Sequence, residues 1–270
     1  MDQELLEKVM NQVKAELGAT AAAPAAPAAE PVTKGDASGI NHSVGRTEFV
    51  GTSLGDTIGL VIASVDPMLK ESMNLGKFRS IGIIGGRIGA GPQIMAVDDA
   101  VKATNTEIIS VELPRDTKGG AGHGSLILIG AEDVSDARRA VEIALQVLPK
   151  YFGDVYGNDA GHIEFQYSAR ASYCLEKALG AKFGKAFGMT CAGPAAIGVV
   201  LADTAVKAAN VEVVAYSSPK NGTSFSNEVI LCFSGDSGAV RQAVKAAIAV
   251  GKKLLGALGD EPKSTTTPYI

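Results

Sequence analysis

The chain has 270 residues, of which 46% are apolar, so it is long enough for one large domain or two ordinary ones with a real hydrophobic core. Charged residues make up 20% of the chain, below the usual value of about 25%, and a surface this poor in charge favours assembly over a free monomer. The formal net charge is −4 and there is no dense Lys or Arg cluster, so we expect no nucleic acid partner.

The N-terminus, MDQELLEKVM, carries no apolar or arginine-rich signal, and no apolar run reaches about 18 residues. We therefore expect a cytoplasmic protein that is not exported and has no membrane partner. Residues 1–18 are predicted to contain an amphipathic helix whose apolar stripe is Leu5, Leu6, Val9, Val13 and Leu17. Residues 19–45 are predicted to be a linker rich in Ala and Pro.

The body that follows contains an internal repeat. Residues 98–110, DDAVKATNTEIIS, align with residues 203–215, DTAVKAANVEVVA, with seven identities in thirteen positions. Two further blocks recur in the same order, Ala90-Gly91-Pro92 with Ala192-Gly193-Pro194 and the RxAVxxA pattern from Arg138 with that from Arg241. Two copies of one supersecondary unit explain both the spacing and the order.

Each copy predicts the same succession: a strand, a Gly-Pro loop, a helix, a strand, a glycine-rich loop, a third strand and a closing helix. In the first copy these elements are predicted at 80–84, 94–104, 107–112, 126–129 and 137–148, and in the second at 186–190, 197–209, 212–217, 228–233 and 240–251. Further apolar segments, 57–65 and 163–175, precede the copies. We predict an α/β (α+β) chain with domains at 46–158 and 159–258 and a C-terminal tail at 259–270.

Residues 85–92, GGRIGAGP, follow a predicted strand and suggest a dinucleotide site. However, no six residues there satisfy G-x-G-x-x-G, and Pro92 stands where the fingerprint helix begins. The loop 116–125, DTKGGAGHGS, lacks the P-loop pattern and joins two strands, so a hairpin tip is favoured over a phosphate site.

Metal and catalytic patterns are weak as well. His42, His123 and His162 have no second ligand at metal-binding spacing, and Tyr151, Tyr156, Tyr167 and Tyr173 are interpreted as core or interface aromatics. The three cysteines, Cys174, Cys191 and Cys232, form no C-x-x-C pair, which is consistent with a reducing compartment. We therefore predict no catalytic residues, no metal and no cofactor.

The run ADTAVKAANVEVVAYSSPKNGTSFSNEVILCFSGDSGAV in the second copy resembles the bacterial microcompartment shell domain, and the first copy is similar. Two such copies over residues 46–270 resemble the tandem-domain trimeric shell proteins. The resemblance implies two circularly permuted microcompartment domains, each an antiparallel sheet flanked by helices, and a structural protein that is not an enzyme.

The resemblance also implies a homotrimer with pseudo-hexagonal outline that tiles a microcompartment shell together with other shell hexamers. Hairpin tips meet at the symmetry axis in this family, so the candidate pore-lining residues are Lys118, Gly119, Gly120, Gly122, His123, Gly124, Lys220, Asn221, Gly222, Thr223 and Ser224. Such a pore would pass small polar metabolites, diols of the 1,2-propanediol type. The N-terminal stripe would bind encapsulated enzymes, with a tail of no function as the alternative.

Two other classes remain open at this point: a nucleotide-binding redox enzyme and a redox protein with an iron-sulfur cluster. The pore loops contain no cysteine, which argues against a cluster at the axis.

Overall fold

The computed structural model describes residues 47–115, 123–220 and 228–270. Two antiparallel sheets organise these residues. The strands of the first sheet are β1 (Thr47–Ser53), β2 (Thr57–Ile62), β3 (Ser80–Gly86), β4 (Glu107–Glu112) and β5 (Ser125–Ala131). They lie side by side in the order β1-β2-β3-β5-β4.

The strands of the second sheet are β6 (Val155–Asn158), β7 (Gly161–Ser168), β8 (Ala186–Gly193), β9 (Glu212–Ser217), β10 (Val229–Gly235) and β11 (Lys263–Ser264). They lie side by side in the order β11-β6-β7-β8-β10-β9. The helices are α1 (Pro67–Ser72), α2 (Gly91–Lys102), α3 (Val134–Tyr151), α4 (Tyr173–Leu179), α5 (Ala195–Ala208) and α6 (Ser237–Gly256). We call β1–β5 with α1–α3 the first repeat and β6–β11 with α4–α6 the second repeat.

The two repeats have the same architecture, because the first five strands of each follow one order and the helices occupy the same places between them. The predicted fold class, α+β with antiparallel sheets and flanking helices, is confirmed. An all-antiparallel sheet is incompatible with the parallel doubly wound fold that a classical dinucleotide site requires.

The closing helices pack on the sheets by the apolar stripes that the sequence predicts. In α3 these residues are all buried: Ala137, Ala140, Val141, Ala144, Leu145 and Leu148. Gly59 of β2 lies directly beneath the helix, and a Cβ at this position would come within 2.6 Å of Val141 Cγ1. Glycine therefore sets how closely α3 approaches the sheet.

The C-terminal residues fold back onto the second sheet. Strand β11 pairs with β6, and Tyr269 packs its ring edge-on against Tyr151 at a centroid distance of 5.3 Å. Within the part of the chain that the structure describes, no helix combines the length and apolar character needed to cross a bilayer.

Candidate functional site

Helix α2 of the first repeat lies between the two repeats and contacts α4 and β7 of the second. Its residues 91–98 are all buried, including Ile94 and Met95, which are each 1% exposed. These two share one hydrophobic cluster with Cys174, Phe187 and Met189. A helix that is buried on all sides is typical of a core shared by two layers.

A polar contact fixes the position of α2 against α4. The buried carboxylate of Asp98 accepts a hydrogen bond from the backbone N–H of Ser172 at 2.9 Å and another from the Ser172 hydroxyl. Lys102, one turn further along α2, pairs with the same carboxylate. Ser172 is also the N-cap of α4, so this helix begins at the contact.

The corresponding helix of the second repeat, α5, has no such cover within the described chain. The repeat places Val199 and Val200 where α2 has Ile94 and Met95, yet they are 50% and 43% exposed. Val206, which corresponds to Val101, is exposed too. We call Val199, Val200 and Val206 the α5 edge.

The helices on the other side of this contact, α4 in the second repeat and α1 in the first, differ in the opposite sense: α4 is covered and α1 is exposed. In α4, Cys174 and Leu175 are buried beneath α2, whereas the corresponding residues of α1, Met68 and Leu69, are 80% and 46% exposed. Both helices begin with a capping side chain, Asp66 in α1 and Ser172 in α4. We call Met68 and Leu69 the α1 edge. A single chain therefore leaves both the α5 edge and the α1 edge uncovered, and these are the two halves of a second contact of the α2–α4 type.

A cavity of about 850 Å³ opens between α2 and the second sheet. Its lining includes several titratable or metal-binding side chains, among them His123, His162, Glu164, Cys191 and Glu228. A concave site that gathers several buried polar groups in an otherwise apolar wall is typical of a binding site.

Strand register brings four of these side chains together. Strand β8 lies between β7 and β10, and Cys191 is opposite Glu164 on one side and Ile230 on the other. His162 and Glu228 lie two residues before those partners, on the same face of the sheet. His162 Nε2 is 2.7 Å from Glu228 Oε1, and Gln166 Nε2 donates to Glu164 Oε1 at 3.0 Å.

The environment shifts the protonation of this cluster. Burial raises the pKa of Glu164 to about 7, and the charge of Glu228 adds to the effect. Burial raises the pKa of the Cys191 thiol well above its usual range, as do the neighbouring carboxylates. For His162, burial lowers the pKa, but the hydrogen bond and charge of Glu228 outweigh it, and the net shift is upward.

The fold further tightens the site at Gly91, the first residue of α2. A Cβ here would lie 1.9 Å from Glu164 Oε1 and 2.9 Å from Met189 Cε. Only glycine lets the start of α2 approach the buried carboxylate this closely.

The predicted pore residues are only partly within the described chain. His123 is buried and lines the cavity between α2 and the second sheet. Gly124 donates its N–H to the Pro114 carbonyl at 2.9 Å, and Lys220 is exposed in a turn. The others, Lys118, Gly119, Gly120, Gly122, Asn221, Gly222, Thr223 and Ser224, lie outside the described residues, as does the N-terminal stripe Leu5, Leu6, Val9, Val13 and Leu17.

The grouping of His162, Cys191 and Glu228 could not be predicted from the sequence. Their spacing along the chain matches no metal or catalytic motif, because the three positions meet only through the pairing of β7, β8 and β10. The one available signal was the alternation of polar residues at 162 and 164 in an apolar strand.

Comparison with known proteins gives a consistent result. The family model described as the BMC domain matches residues 80–159 and 186–259. The bacterial microcompartment shell protein PduB of Citrobacter freundii is 61% identical over 268 residues, which are 99% of this chain and 98% of that protein.

Solved structures agree with the sequence match. A crystal structure of a trimeric bacterial microcompartment shell protein PduB is 54% identical, with a TM-score of 0.80 over 83% of this chain and 99% of that one. The structure of EtuB from Clostridium kluyveri is 56% identical, with a TM-score of 0.80 over 83% of this chain and 98% of that one.

Proposed function

This chain belongs to the BMC-domain family of bacterial microcompartment shell proteins, and we propose that three copies close into a flat pseudo-hexameric tile of such a shell. Its role is structural and not enzymatic, as the names of its relatives indicate. The observation that carries the proposal is the pair of uncovered edges on α5 and α1.

The contact inside one chain serves as the template for the contact between chains. Placing the α5 edge of one copy against the α1 edge of the next would repeat the packing of α2 against α4. The contact is heterologous, so it must propagate until the ring closes. With two repeats per chain, three chains give six nearly equivalent positions and leave neither edge exposed.

We propose three further features of the tile. Such tiles would pack side by side with other shell hexamers, and the glycine-rich loops that hold Lys118 to Gly124 and Lys220 to Ser224 would line a pore for small polar metabolites of the diol type. Glycines let several loop tips approach one axis, and exposed amides and hydroxyls favour polar solutes over apolar ones. The N-terminal stripe would dock on encapsulated enzymes, which would link the shell to its contents.

The experiment tests each edge with one charged residue. Val199→Asp on the α5 edge and Leu69→Asp on the α1 edge should each abolish the trimer, because both bury a carboxylate in an apolar contact. Leu258→Asp is the matched control, since Leu258 is 58% exposed but lies on neither edge, and this variant should remain trimeric. Sedimentation velocity gives the chain number in each case.

A mixture of the two edge variants gives a sharper result. In Val199→Asp the α1 edge is intact, and in Leu69→Asp the α5 edge is intact, so an equimolar mixture should form a species of two chain masses and nothing larger. A trimer that survives either substitution, or variants that stay monomeric when mixed, would contradict the proposed ring contact.

A further inference from the structure

We infer that His162, Cys191 and Glu228 form a binding site for a divalent transition-metal cation of the zinc class. Their donor atoms, His162 Nε2, Cys191 Sγ and a Glu228 carboxylate oxygen, lie within 4.8 Å of one another. Within residues 47–115, 123–220 and 228–270, this is the one group of three or more such side chains with donor atoms this close.

The donor set suits this class of cation. Imidazole nitrogen and thiolate sulfur are the ligands that Zn²⁺ prefers, and one carboxylate completes a three-ligand set whose fourth position stays open to water. The site faces a cavity of about 850 Å³, which leaves room for that fourth ligand. Glu164 lies opposite Cys191 in the sheet and is held beside the set by a hydrogen bond from Gln166.

The shared fold does not require these residues. In the first repeat, strand pairing puts Gly85 opposite Ile58 and Leu126, as Cys191 is opposite Glu164 and Ile230 in the second. By this correspondence His162, Cys191 and Glu228 match Asp56, Gly85 and Gly124. The same architecture therefore forms without a histidine, a cysteine or a glutamate at these places, and the cluster is an addition of the second repeat.

Metal binding releases protons from the ligands. The cation takes the sulfur lone pair as the Cys191 thiol proton leaves to water, and it takes the Nε2 lone pair of His162 as any proton on that nitrogen leaves as well. The 2.7 Å contact between His162 and Glu228 then gives way to two metal bonds. No oxidant, reductant or other co-reactant is needed.

The test uses the untagged full-length protein after dialysis against a chelator, titrated with Co²⁺ as a spectroscopic stand-in for Zn²⁺. We expect one Co²⁺ per chain, a near-ultraviolet thiolate-to-cobalt charge-transfer band and the intense visible bands of a tetrahedral site. Excess Zn²⁺ should displace the cobalt and remove both signals. The inference does not depend on the assembly proposed above.

Substitution of each proposed ligand tests which side chains bind the metal. Cys191→Ser should abolish the charge-transfer band, and His162→Gln and Glu228→Gln should each weaken Co²⁺ binding about tenfold or more. Cys232→Ser is the matched control: Cys232 is also buried and lines the same cavity, but it is outside the donor set, so its spectrum should match the wild type.

Three outcomes would overturn the inference: no stoichiometric binding by the wild-type chain, a cobalt spectrum without a thiolate band, or a band that survives Cys191→Ser. If Cys191→Ser does not fold, the wild-type spectrum and the titrations of His162→Gln and Glu228→Gln still decide whether the metal binds at this site. A pair of His162 and Glu228 that only stabilises the fold would give no cobalt signal.

Discussion

Asp154 is a buried carboxylate that holds the C-terminus of the chain on the second sheet. One oxygen accepts the Tyr156 hydroxyl at 2.9 Å, and the other accepts the backbone N–H groups of Tyr269 and Ile270 at 2.8 and 3.1 Å. Tyr269 in turn donates its hydroxyl to Gln166 at 3.1 Å. Residues predicted as a tail are therefore anchored by a specific network.

Asp154→Ala should lower the stability of the protein by about 2 kcal/mol or more, because it leaves buried donors without an acceptor. The measurement is the thermal unfolding midpoint at one fixed protein concentration, since assembly makes the midpoint depend on concentration. Asp260→Ala removes an exposed carboxylate near the same end of the chain and should leave the midpoint almost unchanged. Equal midpoints for both variants would mean that the network contributes little.

At the scale of elements, apolar periodicity predicted the closing helices because each of them buries one face on its sheet. The stripe of α3 is an example, since all six of its predicted residues are buried. Boundaries were less accurate. Helix α2 begins at Gly91, ahead of the predicted position 94, because Pro92 falls in its first turn, where its missing N–H has no partner to lose.

Tertiary contacts explain what the sequence could not predict. The apolar run 163–175 is divided between β7 and α4, because Ser172 caps the helix while bound to Asp98, which lies far away in the chain. The cluster around Cys191 depends on the register of three strands, and register is set by the whole sheet rather than by local spacing. The internal repeat in the sequence allows the helices and strands to be predicted, whereas the cavity depends on contacts between the two repeats.

The glycine-rich loops that join β4 to β5 and β9 to β10 give a prediction at the same scale. Replacing Gly120, Gly122 or Gly222 with Leu should alter the rate at which a small diol enters assembled shells, while the trimer stays intact, because a tip glycine contributes backbone freedom more than buried area. Stopped-flow uptake and sedimentation velocity measure the two effects.

Gly238→Leu is the matched control for these loops. Gly238 lies in the first turn of α6 and has open space around its Cβ position, so a bulky side chain there should change neither uptake nor assembly. Loss of the trimer in the loop variants would mean that these glycines belong to a packed core and not to a pore.

For the whole molecule, the low share of charged residues is consistent with its exposed apolar edges. Several of the large apolar side chains that stay exposed in one chain lie on the α5 and α1 edges, Val199, Val200, Val206, Met68 and Leu69 among them. In a closed ring these side chains would be covered, and the remaining surface would be that of an ordinary soluble assembly. The low share of charged residues and the exposed edges thus both indicate an assembled protein.

The N-terminal segment gives the prediction that concerns the assembled shell. A helix of the length predicted for residues 2–17 is close to the length at which an isolated helix is marginal in water, about 12 to 15 residues, so the predicted apolar stripe would need a partner. Deleting residues 1–31 should leave the trimer and its tiling unchanged but separate the shell from the enzymes inside, because the ring edges lie entirely in the body.

The double substitution Leu6→Asp and Val13→Asp should reproduce the deletion, because it places two charges in the stripe without shortening the chain. Glu4→Lys with Gln12→Lys is the matched control, since it changes charge on the polar side and should keep the enzymes attached. Co-purification of enzyme activity with isolated shells is the measurement. Normal retention of enzymes by the deleted chain would show that the segment has no coupling role.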